Sequence, residues 1–144
     1  MLEIDGCCTG QCPVCLPLKN RTNSKISLHR IWELGENFCE SRINRVTLAG
    51  FGSPVAHPNY PEICHVLGNQ FKLAILTVCR PNQISRARCS NEIIVSICNA
   101  QSVDIALERI KELPDKIRVT AHVVLDADVA ANLKTILRVL TPVI

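Results

Sequence analysis

Along this chain, short apolar runs alternate with stretches whose apolar residues recur every three or four positions. That alternation predicts strands separated by helices. Strands are expected at 1–4, 45–49, 71–78, 92–97 and 117–125. A helix is expected from Ser27 to about Glu40, with Leu28, Ile31, Trp32 and Phe38 on its buried side. Asn59 and Glu62 stand at capping-box spacing, Pro61 falls in the first turn, and Gly68 suits the stop of a short second helix. Residues 80–91 form a polar connection with room for at most a short helix. Ser102 is placed to cap an amphipathic helix whose inner face is Val103, Ala106, Leu107, Ile110 and Leu113, ended by Pro114. Val129, Leu133, Ile136, Leu137 and Leu140 repeat at helical spacing in a last helix.

Five strand–helix units in sequence predict an α/β fold on a parallel sheet, with the whole of 1–144 as one domain. A closed eight-unit barrel takes about 250 residues, ~30 per unit, so this length suits five units and a partial (β/α) barrel. Such a sheet keeps an open edge, which a partner chain or a second copy is expected to cover. In the last strand Arg118, Thr120 and His122 alternate with Ile117, Val119, Ala121 and Val123. Helices pack outside a parallel sheet, so the apolar set is expected under them and the polar set on the inner face. Ser96 and Cys98 are expected to point inward from the preceding strand by the same parity. A polar inner face suggests a ligand, because a purely structural barrel fills its interior with branched apolar residues.

Composition narrows the classes. A net charge of +3, scattered along the chain, and only 3% aromatic residues argue against a nucleic-acid surface. The start Met1–Asp5 is acidic, unlike an export signal, and no apolar run is long enough to span a bilayer. No membrane association is expected, and the cytoplasm is the expected compartment.

Nine cysteines are many for such a chain, and in a reducing compartment they favour metal or cluster binding over disulfides. Cys8, Cys12 and Cys15 form a C-x3-C-x2-C run just after the first predicted strand, within a loop at 5–20. Three thiolates so close together can hold three irons of a cubane cluster and leave the fourth open. The run does not extend to the bacterial ferredoxin pattern, since that would need cysteines at Leu2 and Asp5. Zinc on Cys12 and Cys15 would need a second C-x2-C pair, which the chain lacks, although Cys7 is a local fourth sulfur. A cluster of free thiols is the remaining alternative. Cys39, Cys64 and Cys89 read as buried small residues or idle thiols. Cys79 and Cys98 close two strands, where an extra ligand role is conceivable. No Walker A loop, nucleophile elbow or converging carboxylate pair is present.

With these features in order, the chain resembles the radical S-adenosylmethionine (SAM) superfamily over essentially its whole length. The C-x3-C-x2-C run matches that family's cluster signature. Gly50-Phe51-Gly52-Ser53-Pro54 is similar to its glycine-rich G-x-G-E-P segment, and Ile93–Ile97 to its fourth strand. The resemblance implies that Cys8, Cys12 and Cys15 ligate a [4Fe-4S] cluster and that SAM chelates the open iron. It implies reductive cleavage of SAM to a 5′-deoxyadenosyl radical that takes hydrogen from a substrate, with electrons from a flavodoxin or ferredoxin. Gly50, Gly52 and Ser53 would lie against the methionine amino group, and Ser96 would contact the SAM ribose or carboxylate. Two residues depart from the pattern. Ser53 stands where the family carries an acid, and Val14 where an aromatic residue often precedes the third cysteine. A non-catalytic iron–sulfur or zinc module, or an inactive truncated fragment, is the alternative expectation. The substrate is not legible.

Overall fold

A computed structural model describes residues 1–6, 24–50 and 52–123. The cysteine run, the predicted helix after residue 125 and Phe51 lie outside them. Helix α1 (Leu28–Glu40) starts where the Ser27 side chain accepts the Arg30 N–H, and the strands β1 (Arg45–Leu48), β2 (Ala74–Cys79), β3 (Glu92–Ile97) and β4 (Arg118–Val123) follow. Helix α2 (Tyr60–His65) and helix α3 (Ala100–Ile110) complete the regular elements, with short 3-10 turns at Pro54–Ala56 and Pro81–Arg86. All three strand pairings are parallel and the order is β1-β2-β3-β4, the order of the chain. The fold is therefore α/β on a parallel sheet. No helix among the described residues is long and apolar enough to cross a membrane.

Residues 1–4 do not form a regular strand. Leu2 alone bridges Leu48 in parallel, donating to Thr47 O at 2.8 Å and accepting from Ala49 N at 3.1 Å. The chain then turns to a different partner. Ile26 N donates to Ile4 O, Gly6 N donates to Ser24 O, and Asp5 bridges Lys25 in antiparallel sense. The third predicted strand likewise begins at Ala74 rather than at Phe71. Phe71 instead ends a π turn, Val66–Gln70, and Lys72 has a φ of 57°, which no strand residue adopts.

Strand parity follows the prediction, except that Ala121, on the face of Val119 and Val123, is exposed. Ile75, Ile93, Val95, Ile97, Val46 and Leu48 share the helix-covered face and are buried. Val119 and Val123 pack against the same core, whereas Arg118, Thr120 and His122 are exposed on the opposite face. Val103 and Ala106 of α3 are buried, and Leu107, Ile110 and Leu113 pack beside them as their spacing implied. On α1 the buried positions are Ile31 and Gly35; Trp32 is 42% exposed and meets Phe71 edge-on at 5.2 Å instead of entering the core.

Three expected end signals act differently. The Asn59 side chain makes no capping bond at α2, where its backbone has turned out of the extended capping conformation; its N–H donates to His57 Nδ1. Gly68 does not stop that helix, since the chain continues through it into the π turn. Helix α3 is capped by Asn99, whose Oδ1 accepts both the Ser102 N–H and the Ser102 hydroxyl. Ser102 is thus the third residue of that helix rather than its cap.

Candidate functional site at the C-terminal edge of the sheet

Parallel β/α folds place their sites at the carboxyl ends of the strands. Among the described residues that edge runs along the ends of β1, β2, β3 and β4, at Leu48, Cys79, Ile97 and Val123, with Leu2 bridged to Leu48 beside it. The pairing of Leu2 with Leu48 brings Glu3 beside the segment that follows β1. A Cβ added at Gly50 would lie 2.6 Å from Glu3 Cγ and 2.7 Å from Glu3 Oε1. Gly50 also has a φ of +148°, which a residue with a Cβ rarely adopts. The glycine expected for close approach of a ligand is thus required by its own backbone, and the close neighbour is Glu3.

Ser53 is half-buried and its hydroxyl is engaged. It donates to Gln83 Oε1 at 2.8 Å, and the same oxygen accepts the Arg80 N–H at 3.2 Å. Gln83 N donates back to Arg80 O at 2.9 Å. One glutamine side chain therefore ties the loop after β1 to the loop after β2. Gly52 is partly exposed on the same connection. Ser96 lies in register with His122, so it shares the face that carries Thr120 and Arg118, as its parity implied. Cys98 follows the end of β3 and is partly exposed.

Cys79 does not sit on the edge as a spare ligand. It is 4% exposed, in register with buried Val95, and burial pushes its thiol up to about 12. A thiol held neutral in this way is a poor metal donor at neutral pH. Cys64 is similar, buried and pushed up to about 12, whereas Cys39 and Cys89 are exposed, so of the two expectations for these cysteines burial holds only for Cys64.

The cysteine run itself, Cys8, Cys12 and Cys15, lies outside the described residues, but both of its flanks are within them. Gly6 and Ser24 are hydrogen-bonded to each other at 3.0 Å, so residues 7–23 leave and return at one point. His57, 4% exposed, secures the returning limb: its Nδ1 accepts the Asn59 N–H, which leaves the proton on Nε2 to bond Ile26 O at 3.1 Å. Asp5, one residue before the bonded Gly6, is only 2% exposed.

Sequence reasoning missed four residues here: Glu3, Asp5, Gln83 and His57. Glu3 lay inside the segment read as a plain strand, and Asp5 at the start of the loop read for its cysteines. Gln83 carried no signal, because a lone glutamine in a polar connection reads as solvent-exposed. Among the described residues no three His, Cys, Asp or Glu side chains converge as a metal site. No protein-family model, curated protein or solved structure matches the chain.

Proposed function

We propose that this chain is a radical SAM protein built on a partial (β/α) barrel. Its support is the C-x3-C-x2-C run in a segment whose flanks, Gly6 and Ser24, are bonded together beside the loop after β1. The strand order supports the same reading, since a barrel adds parallel strands in chain order and a doubly wound sheet reverses at a switch point. Cys8, Cys12 and Cys15 are a soft, three-thiolate donor set of the kind that suits an iron–sulfur cluster, and these residues would hold it. When bound, a [4Fe-4S] cluster with SAM supplies reductive cleavage to a hydrogen-abstracting 5′-deoxyadenosyl radical.

The chain's own residues have separate tasks in this reading. Gly50 and Gly52 keep the loop after β1 close-fitting, and Ser53, fixed by Gln83, holds it against the next strand's loop. Ser53 has no charge to offer the SAM ammonium. The Glu3 carboxylate, lying against Gly50, is the acid that takes this part. Ser96 contributes a hydroxyl to the inner face. A flavodoxin or ferredoxin supplies electrons, and a second chain covers the outer edge of β4, which pairs with no strand among the described residues.

Anaerobic reconstitution with iron and sulfide tests the proposal. The expected result is a cubane spectrum, and 5′-deoxyadenosine on addition of dithionite and SAM. Cys12→Ala should abolish the cluster and Cys64→Ala should retain it. Glu3→Gln should weaken SAM binding while the cluster still forms. A reconstituted cluster that never cleaves SAM points to the non-catalytic module or inactive fragment, a reading favoured by the engaged, uncharged Ser53. Zinc bound without iron would defeat the cluster assignment.

A further inference from the structure

A second concave site lies at the opposite, N-terminal end of the sheet. It has a volume of about 470 Å³, within the usual range for small-ligand pockets. Its wall carries Arg88 and Lys116, and no aspartate or glutamate lines it. We propose that this cavity binds a phosphate monoester with an apolar body.

The donors are partly oriented already. Arg88 Nε donates to Ser85 O at 2.8 Å, which fixes the guanidinium stem and leaves its terminal nitrogens for a ligand. Asn91 also lines the cavity; its Oδ1 accepts the Ile75 N–H at 2.8 Å, which leaves the NH2 as the donor its side chain has to offer. Among the described residues neither Arg88 nor Lys116 is in an ion pair; the pairs there involve His29, Arg30, Arg109 and their glutamates. Glu112 feels the Arg88 charge, but its carboxylate is bonded to Ser85 and Arg109 and does not line the cavity.

An opposing effect comes from α2 and its π turn, whose C-terminal residues also line the site. A helix end carries roughly half a negative charge. Two full cations outweigh it, and they match a phosphate dianion better than a single carboxylate. An arginine fork beside a lysine is a recurring arrangement for phosphate. Leu73, Ile75 and Ile117, all buried, supply the apolar part of an otherwise polar lining, which leaves room for a small hydrophobic ester group. The site is independent of the cysteine segment, so its success or failure leaves the cluster proposal untouched.

Titration of the intact chain with phenyl phosphate, followed by amide nitrogen–proton spectra, tests the inference. Saturable shifts are expected at residues 88–91 and 116–117, with inorganic phosphate binding about tenfold more weakly for want of the apolar body. Arg88→Gln and Lys116→Gln should each weaken binding about tenfold, and the double variant should lose it. Both side chains are exposed, and unchanged shifts elsewhere will report an intact fold. Arg88→Lys should recover only part of the loss, since it restores charge without the fork. The inference is overturned if phenol binds as well as its phosphate, if sodium chloride at equal ionic strength gives the same shifts, or if the double variant binds unchanged.

Discussion

Gly50 gives the sharpest test of how the C-terminal edge is built. Two effects oppose an alanine there: the backbone φ of +148° and the Glu3 side chain, whose Cγ would be 2.6 Å from the new Cβ. Holding a residue with a Cβ in such a conformation costs about 1–3 kcal/mol. Glu3 is exposed, so turning its side chain aside costs about 0.5–1.5 kcal/mol. The lost freedom of the unfolded chain returns roughly 0.4–1 kcal/mol to the alanine form. Backbone conformation therefore dominates, and Gly50→Ala should destabilise by about 1–3 kcal/mol. Urea unfolding followed by circular dichroism measures this, with an unchanged slope showing that both states keep their compactness. In a Glu3→Ala background most of the penalty should persist. Gly68 is the control, because its added Cβ would be 3.3 Å from the tip of Ile75 at ordinary φ, and alanine there should be close to neutral. If Glu3→Ala removes the whole penalty, or if Gly50→Ala is neutral, the backbone argument is wrong.

Further outcomes follow from other positions. Gly35→Ala would place a Cβ 2.3 Å from the Phe71 ring, so overpacking of about 1–3 kcal/mol should exceed the helix gain of about 1 kcal/mol; in a Phe71→Ala background the same change should stabilise. Tyr60→Phe opens a closed ring of three buried hydroxyls, in which Tyr60 lies 2.7 Å from Ser90 and 2.9 Å from Thr77, and Ser90 donates to Thr77 at 2.7 Å. A loss of about 1–2 kcal/mol by thermal or urea unfolding is expected. Burial raises the Cys64 and Cys79 thiols from the ordinary 9.0 to about 12, so the stability they contribute is complete below pH 9 and is lost as pH rises through 12. Each thiol adds a slope of about 1.4 kcal/mol per pH unit in that window, and serial denaturation between pH 8 and 11 would show a flat curve if the thiols are not buried. At about pH 8 their thiolate fraction is ~10⁻⁴, so iodoacetamide should label Cys39 and Cys89 well before Cys64 and Cys79 in the native protein.

Strand identity and parity were legible because a buried parallel strand leaves an unmistakable apolar run. Residues 92–97 read directly as β3, and the alternation of Arg118, Thr120 and His122 assigned a face to β4. Failures concentrated where a side chain acts through a distant partner. Asn59 and Ser102 both had capping chemistry, yet His57 and Asn99 decided which backbone groups were served. The first segment looked like any short strand, and nothing in Leu2–Gly6 announced that it would leave β1 after one bridge to pair with 24–26. Among the candidate site residues, the placement of Ser96 followed from period alone. Ser53 was found through its glycines, but its engagement with Gln83, thirty positions away, left no trace in the local sequence.

The closure of Gly6 on Ser24, with Ile4 on Ile26 and His57 behind it, uses only backbone and imidazole groups. The knot that shapes the neck of the thiol segment is thus drawn tight by the polypeptide itself. A foreign loop spliced between those two residues therefore inherits a ready-made mouth on the sheet.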